Sequence, residues 1–287
     1  MDSIKLEAYG KINLSLDIVG KRDDGYHNVQ MIMQTIRLSD DVIITKNNSG
    51  KITTSSNLPY VPNNETNLSY KSARLFYDRF GITDGLHIKM HKNIPVGGGL
   101  GGGSADAAAV LQGLNQMYET HLSLGELSKM AVTLGADVPF CLRRGTYLAE
   151  GIGEELSHLP PFPETHLVLV KPPFGVSTKW VYQTLKWQEI KEHPNTLELI
   201  RALQNRDPHA FAPHMKNVLE EVVFPRYQAI QKLKRSMKAH GAYASMMSGS
   251  GATVFGLFDQ KEDAVRAYDT YKKEGMEAHL TQTIEGA

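Results

Sequence analysis

The segment Pro95-Val96-Gly97-Gly98-Gly99-Leu100-Gly101-Gly102-Gly103-Ser104 places six glycines within seven residues and runs straight into Ala105-Asp106-Ala107-Ala108. This composition is costly in conformational entropy, and it is useful where backbone must take positive φ or approach a ligand closely. A helix starting at its end adds unpaired N–H groups and the positive end of a helix dipole, and together these make a cradle for phosphate. The plain alternative is a flexible linker, but linkers in compact domains seldom open directly into an amphipathic helix.

Three kinds of phosphate loop must be separated. Gly97, Gly99 and Gly102 have the dinucleotide spacing, and Glu119 lies near the position of the ribose-binding acid. A dinucleotide unit needs a strand after its helix. Here Ser123-Leu124-Gly125-Glu126 has the form of a capping box opening a second helix, and Pro95 interrupts the approach to the loop. A Walker loop ends Gly-Lys-Ser or Gly-Lys-Thr, whereas this one ends Gly103-Ser104 without a lysine.

The full pattern, Pro-x-Gly-x-Gly-Leu-Gly-x-Gly-Ser-Ala-Asp-Ala, resembles the second motif of the GHMP kinases, the superfamily of galactokinase, homoserine kinase and mevalonate kinase. Lys11-Ile12-Asn13-Leu14 is similar to the first motif, and Ser248-Gly249-Ser250-Gly251-Ala252-Thr253-Val254-Phe255-Gly256 to the third. Three motifs in order over almost the whole chain are far more specific than one glycine loop. Asp24-Gly25-Tyr26-His27 and Leu134-Gly135-Ala136-Asp137-Val138-Pro139-Phe140 are similar to segments of the branch that phosphorylates a cytidine diphosphate derivative of methylerythritol, in non-mevalonate isoprenoid biosynthesis. One departure stands out: Tyr9-Gly10 replaces the usual Pro-Ala before the first-motif lysine.

The resemblance implies an α+β GHMP kinase fold, with an N-terminal domain like ribosomal protein S5 domain 2 and a ferredoxin-like C-terminal domain. It implies ATP as phosphoryl donor, Mg2+ accompanying it, and the C2 hydroxyl of the cytidyl compound as acceptor. Phosphoryl transfer asks mainly for positioning, charge stabilisation and a group to take the acceptor's proton. The resemblance gives that last role to Asp137 and sets Lys11 beside it. From residues alone, Asp137 reads as a loop aspartate capping the residues after it, and Lys11 as a solvated strand lysine sharing a face with Asn13.

By the same resemblance ATP is expected on Pro95, Val96, Gly97, Gly98, Gly99, Leu100, Gly101, Gly102, Gly103, Ser104 and Ala105, with Asn67 near the adenosine. Asn67 also reads as the N-cap before Leu68, and Ser104 as a helix cap that reaches a phosphate oxygen or the magnesium ion. The acceptor is expected on Asn13, with Tyr26 stacking on cytosine, His27 bonding its edge and Tyr182 closing the other side. Tyr182 equally suits core packing beside Val181 and Leu185. No histidine spacing suggests a protein-held metal. The rivals are a mevalonate- or homoserine-type GHMP kinase and a non-catalytic nucleotide-binding relative.

The elements that must position these residues emerge from periodicity. Ile12, Leu14, Leu16 and Ile18 alternate with polar residues, the period of a half-buried strand, and an Asp-Gly turn at 22–27 leads to a second strand at 29–36. Short strands are expected at 42–45, 52–54 and 86–90, and helices at 68–80, 107–117 and from Ser123 to Gly135. Pro160-Pro161-Phe162-Pro163 reads as a linker, so the domains are expected at 1–158 and 159–287. The second should run strand 166–170, helix 178–187, a long helix 225–240, strands 243–247 and 252–258, helix 261–274 and strand 278–284.

Composition bounds the partners. The 287 residues carry 31 Lys plus Arg against 31 Asp plus Glu, which offers no net field to a polyanion, so nucleic acid is not expected. The single cysteine, Cys141, cannot form an intramolecular disulfide. No run approaches a membrane span, and the first residues lack the basic and apolar blocks of a signal peptide. A cytoplasmic enzyme acting on a small molecule, as a monomer or weak homodimer and without a membrane partner, is the expectation.

Overall fold

The computed structural model describes residues 1–286. Its chain opens with two long paired strands, β1 (Ser3–Lys21) and β2 (His27–Asn47). The Asp-Gly turn joins them: Arg22 N–H donates to the Tyr26 carbonyl at 2.8 Å and Gly25 takes φ 88°. The two strands expected at 29–36 and 42–45 are therefore one, running through the polar residues between them. The chain divides into two compact units, each assembled from separated stretches.

The first unit comprises residues 1–10, 38–94 and 101–143. Asp41–Asn47 of β2 pair antiparallel with β4 (Gly85–His91), and β3 (Ile52–Ser56) runs parallel to β4. That parallel pair needs a crossover, which α1 (Leu68–Phe80) supplies. Next come α2 (Gly102–Met117), α3 (Leu124–Val132) and α4 (Val138–Arg143). The core is built from Val42, Ile44, Phe76, Leu86, Ile88, Val110, Leu111 and Leu114. Phe76 is fully buried, and truncating such a side chain to alanine costs ~3–5 kcal/mol. The capping box at Ser123 and Glu126 forms as expected, fixing the start of α3.

The second unit comprises residues 11–37, 95–100 and 144 onward. Met31–Gln34 of β2 pair with β5 (Thr146–Glu150), which pairs with β6 (Glu155–His158). A second sheet holds β7 (His166–Lys171), β8 (Ala244–Met247), β9 (Val254–Phe258) and β10 (Glu277–Gln282) in the order β10-β7-β9-β8, all antiparallel. Between β7 and β8 lie α5 (Thr178–Thr184), α6 (Thr196–Gln204), α7 (Pro208–Phe211), α8 (Glu220–Arg226) and α9 (Gln228–Ala239), and α10 (Lys261–Lys273) precedes β10. Strand order and helix placement are ferredoxin-like. Beyond β10 the chain returns to β2, where Ile284 N–H donates to the Thr35 carbonyl at 3.0 Å.

The long helix expected at 225–240 is two helices. Pro225 lies in the last turn of the first, which ends at Arg226, and Tyr227 leaves helical geometry, with φ −119° and ψ 64°. Its ring stacks on Phe174, centroids 5.5 Å apart, so aromatic packing holds the break. The helix expected at 178–187 stops at Thr184 and a 3-10 turn comes next at Trp187–Glu189.

Candidate active site

The alternation along β1 is real, but its polar face is not solvated. Lys11, Asn13, Ser15 and Asp17 are as buried as Ile12, Leu14, Leu16 and Ile18. Burying polar groups is expensive unless they find partners, and these do. Lys11 Nζ donates to Asn13 Oδ1 at 2.7 Å, Asn13 Nδ2 donates to Met31 Sδ at 3.1 Å, and Ser15 Oγ accepts Ile32 N–H at 3.1 Å. Asp17 Oδ1 accepts Ile18 N–H and meets His193 Nδ1, both at 2.8 Å.

In the same unit the first half of the glycine loop meets that face and the 248–251 turn. Lys11 N–H donates to the Leu100 carbonyl at 2.9 Å, tying the first and second motifs by main chain. Ser248 Oγ donates to the Gly99 carbonyl at 3.0 Å, and Thr253 N–H to the Gly98 carbonyl at 3.2 Å. Gly99 has φ 79°, and a Cβ there would collide with the Ser248 carbonyl, so only glycine fits. A Cβ on Gly249 would stand 3.3 Å from the Gly99 carbonyl oxygen and 3.4 Å from Asn13 Oδ1. All three motif segments thus pack backbone to backbone. Pro95 and Leu100 are buried within this unit, while Val96 and Gly97 are exposed.

The first unit carries the rest of the loop. Gly101 is the N-cap of α2 at φ 69°, a left-handed position that glycine takes without strain, and its carbonyl accepts Ala105 N–H at 2.8 Å. Gly102, Gly103 and Ser104 form the first turn, whose N–H groups have no partner within the helix. Gly103 is exposed and Ser104 half-buried. Asn67 caps α1: Oδ1 accepts Ser69 N–H at 2.8 Å and Nδ2 donates to the Pro62 carbonyl at 2.7 Å. Asp137, half-buried, immediately precedes α4, and its carbonyl accepts Cys141 N–H at 3.2 Å.

Beneath the start of α2, Lys92 lies buried between Asp40 and Asp106 and bonds both. Asp40 Oδ1 also accepts the N–H groups of Asn93 and Ile94, at 2.6 and 2.8 Å, which fixes the approach to Pro95. Burial drives the Asp106 carboxyl up to about 7 against the pull of Lys92, and the Asp40 charge adds to the rise. Burial opposes the Lys92 charge as well, yet the two carboxylates outweigh it and the lysine stays protonated. Sequence reasoning missed this triad, because Asp40 and Lys92 sit in unremarkable polar stretches.

The aromatic candidates lie in the second unit. His27 is buried at the start of β2, and its ring centroid is 5.7 Å from that of Tyr182 on α5. Val181 and Leu185 take the core side of α5 and leave Tyr182 half-buried. Tyr26 projects outward at 61% exposure. Burial pushes the His27 imidazole below its ordinary value and the Lys21 charge pushes it further, so it is neutral near pH 7. A neutral imidazole offers one donor and one acceptor, the equipment for reading a base edge. Among the described residues no group of three His, Cys, Asp or Glu side chains is placed to hold a metal ion. No helix among them is long and apolar enough to cross a membrane.

The α+β fold that carries these segments is that of a small-molecule kinase. The GHMP kinases N terminal domain matches residues 67–145, and the GHMP kinases C terminal domain residues 199–277. The 4-diphosphocytidyl-2-C-methyl-D-erythritol kinase of Lachnoclostridium phytofermentans is 48% identical over 287 residues, covering 99% of each chain. That of Acetivibrio thermocellus is 48% identical over 284 residues, covering 99% of this chain and all of the other. A crystal structure of 4-(cytidine 5'-diphospho)-2C-methyl-D-erythritol kinase superposes with TM-score 0.83 at 31% identity, covering 99% of this chain and 100% of that one. Homoserine kinase from Cytophaga hutchinsonii, at 20% identity and TM-score 0.77 over 99% of this chain and 95% of its own, shares the fold. The chain belongs to the 4-diphosphocytidyl-2-C-methyl-D-erythritol kinase family of the GHMP kinases.

Proposed function

We propose that this kinase transfers the γ-phosphoryl group of ATP to the C2 hydroxyl of 4-diphosphocytidyl-2-C-methyl-D-erythritol, in non-mevalonate isoprenoid biosynthesis. The observation that carries the reading is the junction of Lys11 and Asn13 with Gly99 and Gly249, which gathers the three motif segments into one packed backbone. The triphosphate is assigned to the loop from Pro95 to Leu100 and to the free N–H groups of Gly102, Gly103 and Ser104, where the α2 dipole favours negative charge. Asn67 is assigned to the adenosine side, its carboxamide already held by the α1 cap.

The acceptor is a tertiary alcohol, crowded and weakly acidic. Asp137 is assigned to accept its proton and Lys11 to stabilise the charge that develops in transfer. Asn13 orients the acceptor, Tyr26 and Tyr182 offer aromatic faces to cytosine, and neutral His27 reads its edge. Magnesium would arrive on the triphosphate and neutralise phosphate charge there, with Ser104 the hydroxyl at the helix start able to meet it. The N-terminal kinase domain is taken as residues 1–158 and the C-terminal one as 159–287. A monomer or weak homodimer in the cytoplasm, without nucleic acid or membrane, completes the reading.

The test is a coupled ADP-release assay with the cytidyl alcohol, mevalonate, phosphomevalonate and homoserine as acceptors. Turnover confined to the cytidyl alcohol supports the reading. Faster turnover with mevalonate or homoserine would replace it, and none with any acceptor would leave a nucleotide-binding relative.

A further inference from the structure

Asn217 lies within the second unit, at a position that sequence reasoning did not single out. It is fully buried, and its main chain is pinned beside β1: Leu16 N–H donates to the Lys216 carbonyl at 2.8 Å and Val218 N–H to the Leu16 carbonyl at 3.0 Å. Its Nδ2 donates to the carbonyls of Met247 and Gly249, at 2.8 and 2.7 Å, and its Oδ1 accepts Leu219 N–H at 3.0 Å. Three residues on, the buried Glu220 accepts Met247 N–H on Oε1 at 2.9 Å and Lys234 Nζ on Oε2 at 2.5 Å. Met247 is therefore gripped by side chains at both its N–H and its carbonyl.

We propose that Asn217 and Glu220 are positioning residues for phosphoryl transfer, holding the Met247–Gly249 backbone from behind while its front meets Gly99 and Asn13. The inference rests on the kinase reading above and deepens it. The front contacts are close: Ser248 Oγ lies 3.0 Å from the Gly99 carbonyl, a Cβ on Gly99 would collide with the Ser248 carbonyl, and one on Gly249 would press on Gly99 and Asn13. A shift of the turn thus moves the glycine loop directly and Lys11 through Asn13. A buried carboxylate is also a costly way to end a strand, since burial raises the Glu220 pKa and Lys234 is needed to hold its charge. Gripping the Met247 main-chain N–H, which would otherwise lie buried without that acceptor, accounts for the cost.

Asn217→Asp separates positioning from simple support. The aspartate keeps an acceptor for Leu219 N–H but turns an oxygen toward two carbonyls. The expected result is a kcat lowered ~10- to 100-fold while KM for ATP and for the cytidyl alcohol changes by less than about threefold. Wild-type kcat in folded Asn217→Asp would overturn the role. Should that variant fail to fold, the background Lys234→Met, which removes the cation and leaves the Glu220 carboxylate buried without it, supplies the comparison. On it, Glu220→Gln keeps an acceptor for Met247 N–H and should restore kcat, whereas Glu220→Leu should lose it. Equal loss in both would assign Glu220 to the ion pair alone and overturn the proposal. Wild-type protein without cytidyl-dependent ADP release would instead remove the kinase reading, so the two failures are distinct.

Discussion

Ser248 Oγ donates to the carbonyl of Gly99 across 149 residues of sequence, at 3.0 Å. This bond joins the glycine loop to a turn at the end of β8, so the loop is held by a neighbour and not only by its own flanks. A loop so rich in glycine would otherwise lose much entropy on ordering.

The loop offers a clean probe at Gly103. It is exposed, and a Cβ there would meet only Leu68 Cδ1 at 3.7 Å, an ordinary contact. Gly103→Val should weaken ATP binding measured by calorimetry at least ~10-fold and leave the ligand-free melting temperature nearly unchanged. Gly101 and Gly102 are poorer probes, since the first needs positive φ and the second would press a Cβ on Ile94 Cγ2 at 3.1 Å. Unaltered ATP affinity in Gly103→Val would move the phosphates away from the start of α2.

Asp137→Asn should lower kcat ~10²-fold or more with ATP still bound, the scale of losing a general base. Lys11→Ala should lower kcat comparably, and rapid-quench measurement of the transfer step is the check. A Lys11 variant altered in KM alone would make that lysine a binding group.

Tyr26 is exposed in the ligand-free protein, so its removal should cost little stability. Losing one stacking face is worth ~1–3 kcal/mol, which raises KM for the cytidyl alcohol ~5- to 150-fold without touching ATP. Free CDP should compete with the acceptor in the wild type and less well in Tyr26→Ala. His27 adds a pH signature. Its folded pKa lies below the usual 6.5, so base recognition should be constant above that pH and fail as acid protonates the ring. A KM profile that stays flat from pH 8 down to the acid limit of folding would exclude His27 from the base edge.

The Lys92 triad makes a stability prediction. Asp106 binds its proton more tightly folded than unfolded, so its contribution is complete below pH ~4 and is lost as pH rises through about 7. Asp106→Asn removes that slope. Its melting temperature should gain on the wild type between pH ~4 and about 7, and parallel curves over that range would show that Asp106 does not titrate there.

The glycine loop, the Asp-Gly turn and the caps at Asn67 and Ser123 were legible because each is a local matter of backbone conformation and nearby donors. The alternation of β1 was legible too, but its meaning was not. Period two separates two faces without telling which is wet, and Lys11 through Asp17 turned out to face protein. Asn217 left no trace at all, since its partners Met247 and Gly249 are distant in sequence and the bonds run to their main chain. The break at Tyr227 was hidden for a related reason: Pro225 was visible, while Phe174, which holds the broken segment, comes from fifty residues earlier.

The sheet order β10-β7-β9-β8 has a consequence during synthesis. When β7 has been made, neither neighbour exists, and both edges of an apolar strand stay open until residue 254 and then 277 have been added. Until then Leu167–Val170 form a template for any other extended chain, the situation in which nascent proteins aggregate or engage chaperones. Truncation between β7 and β10 should therefore yield inclusion bodies and not a smaller soluble fragment.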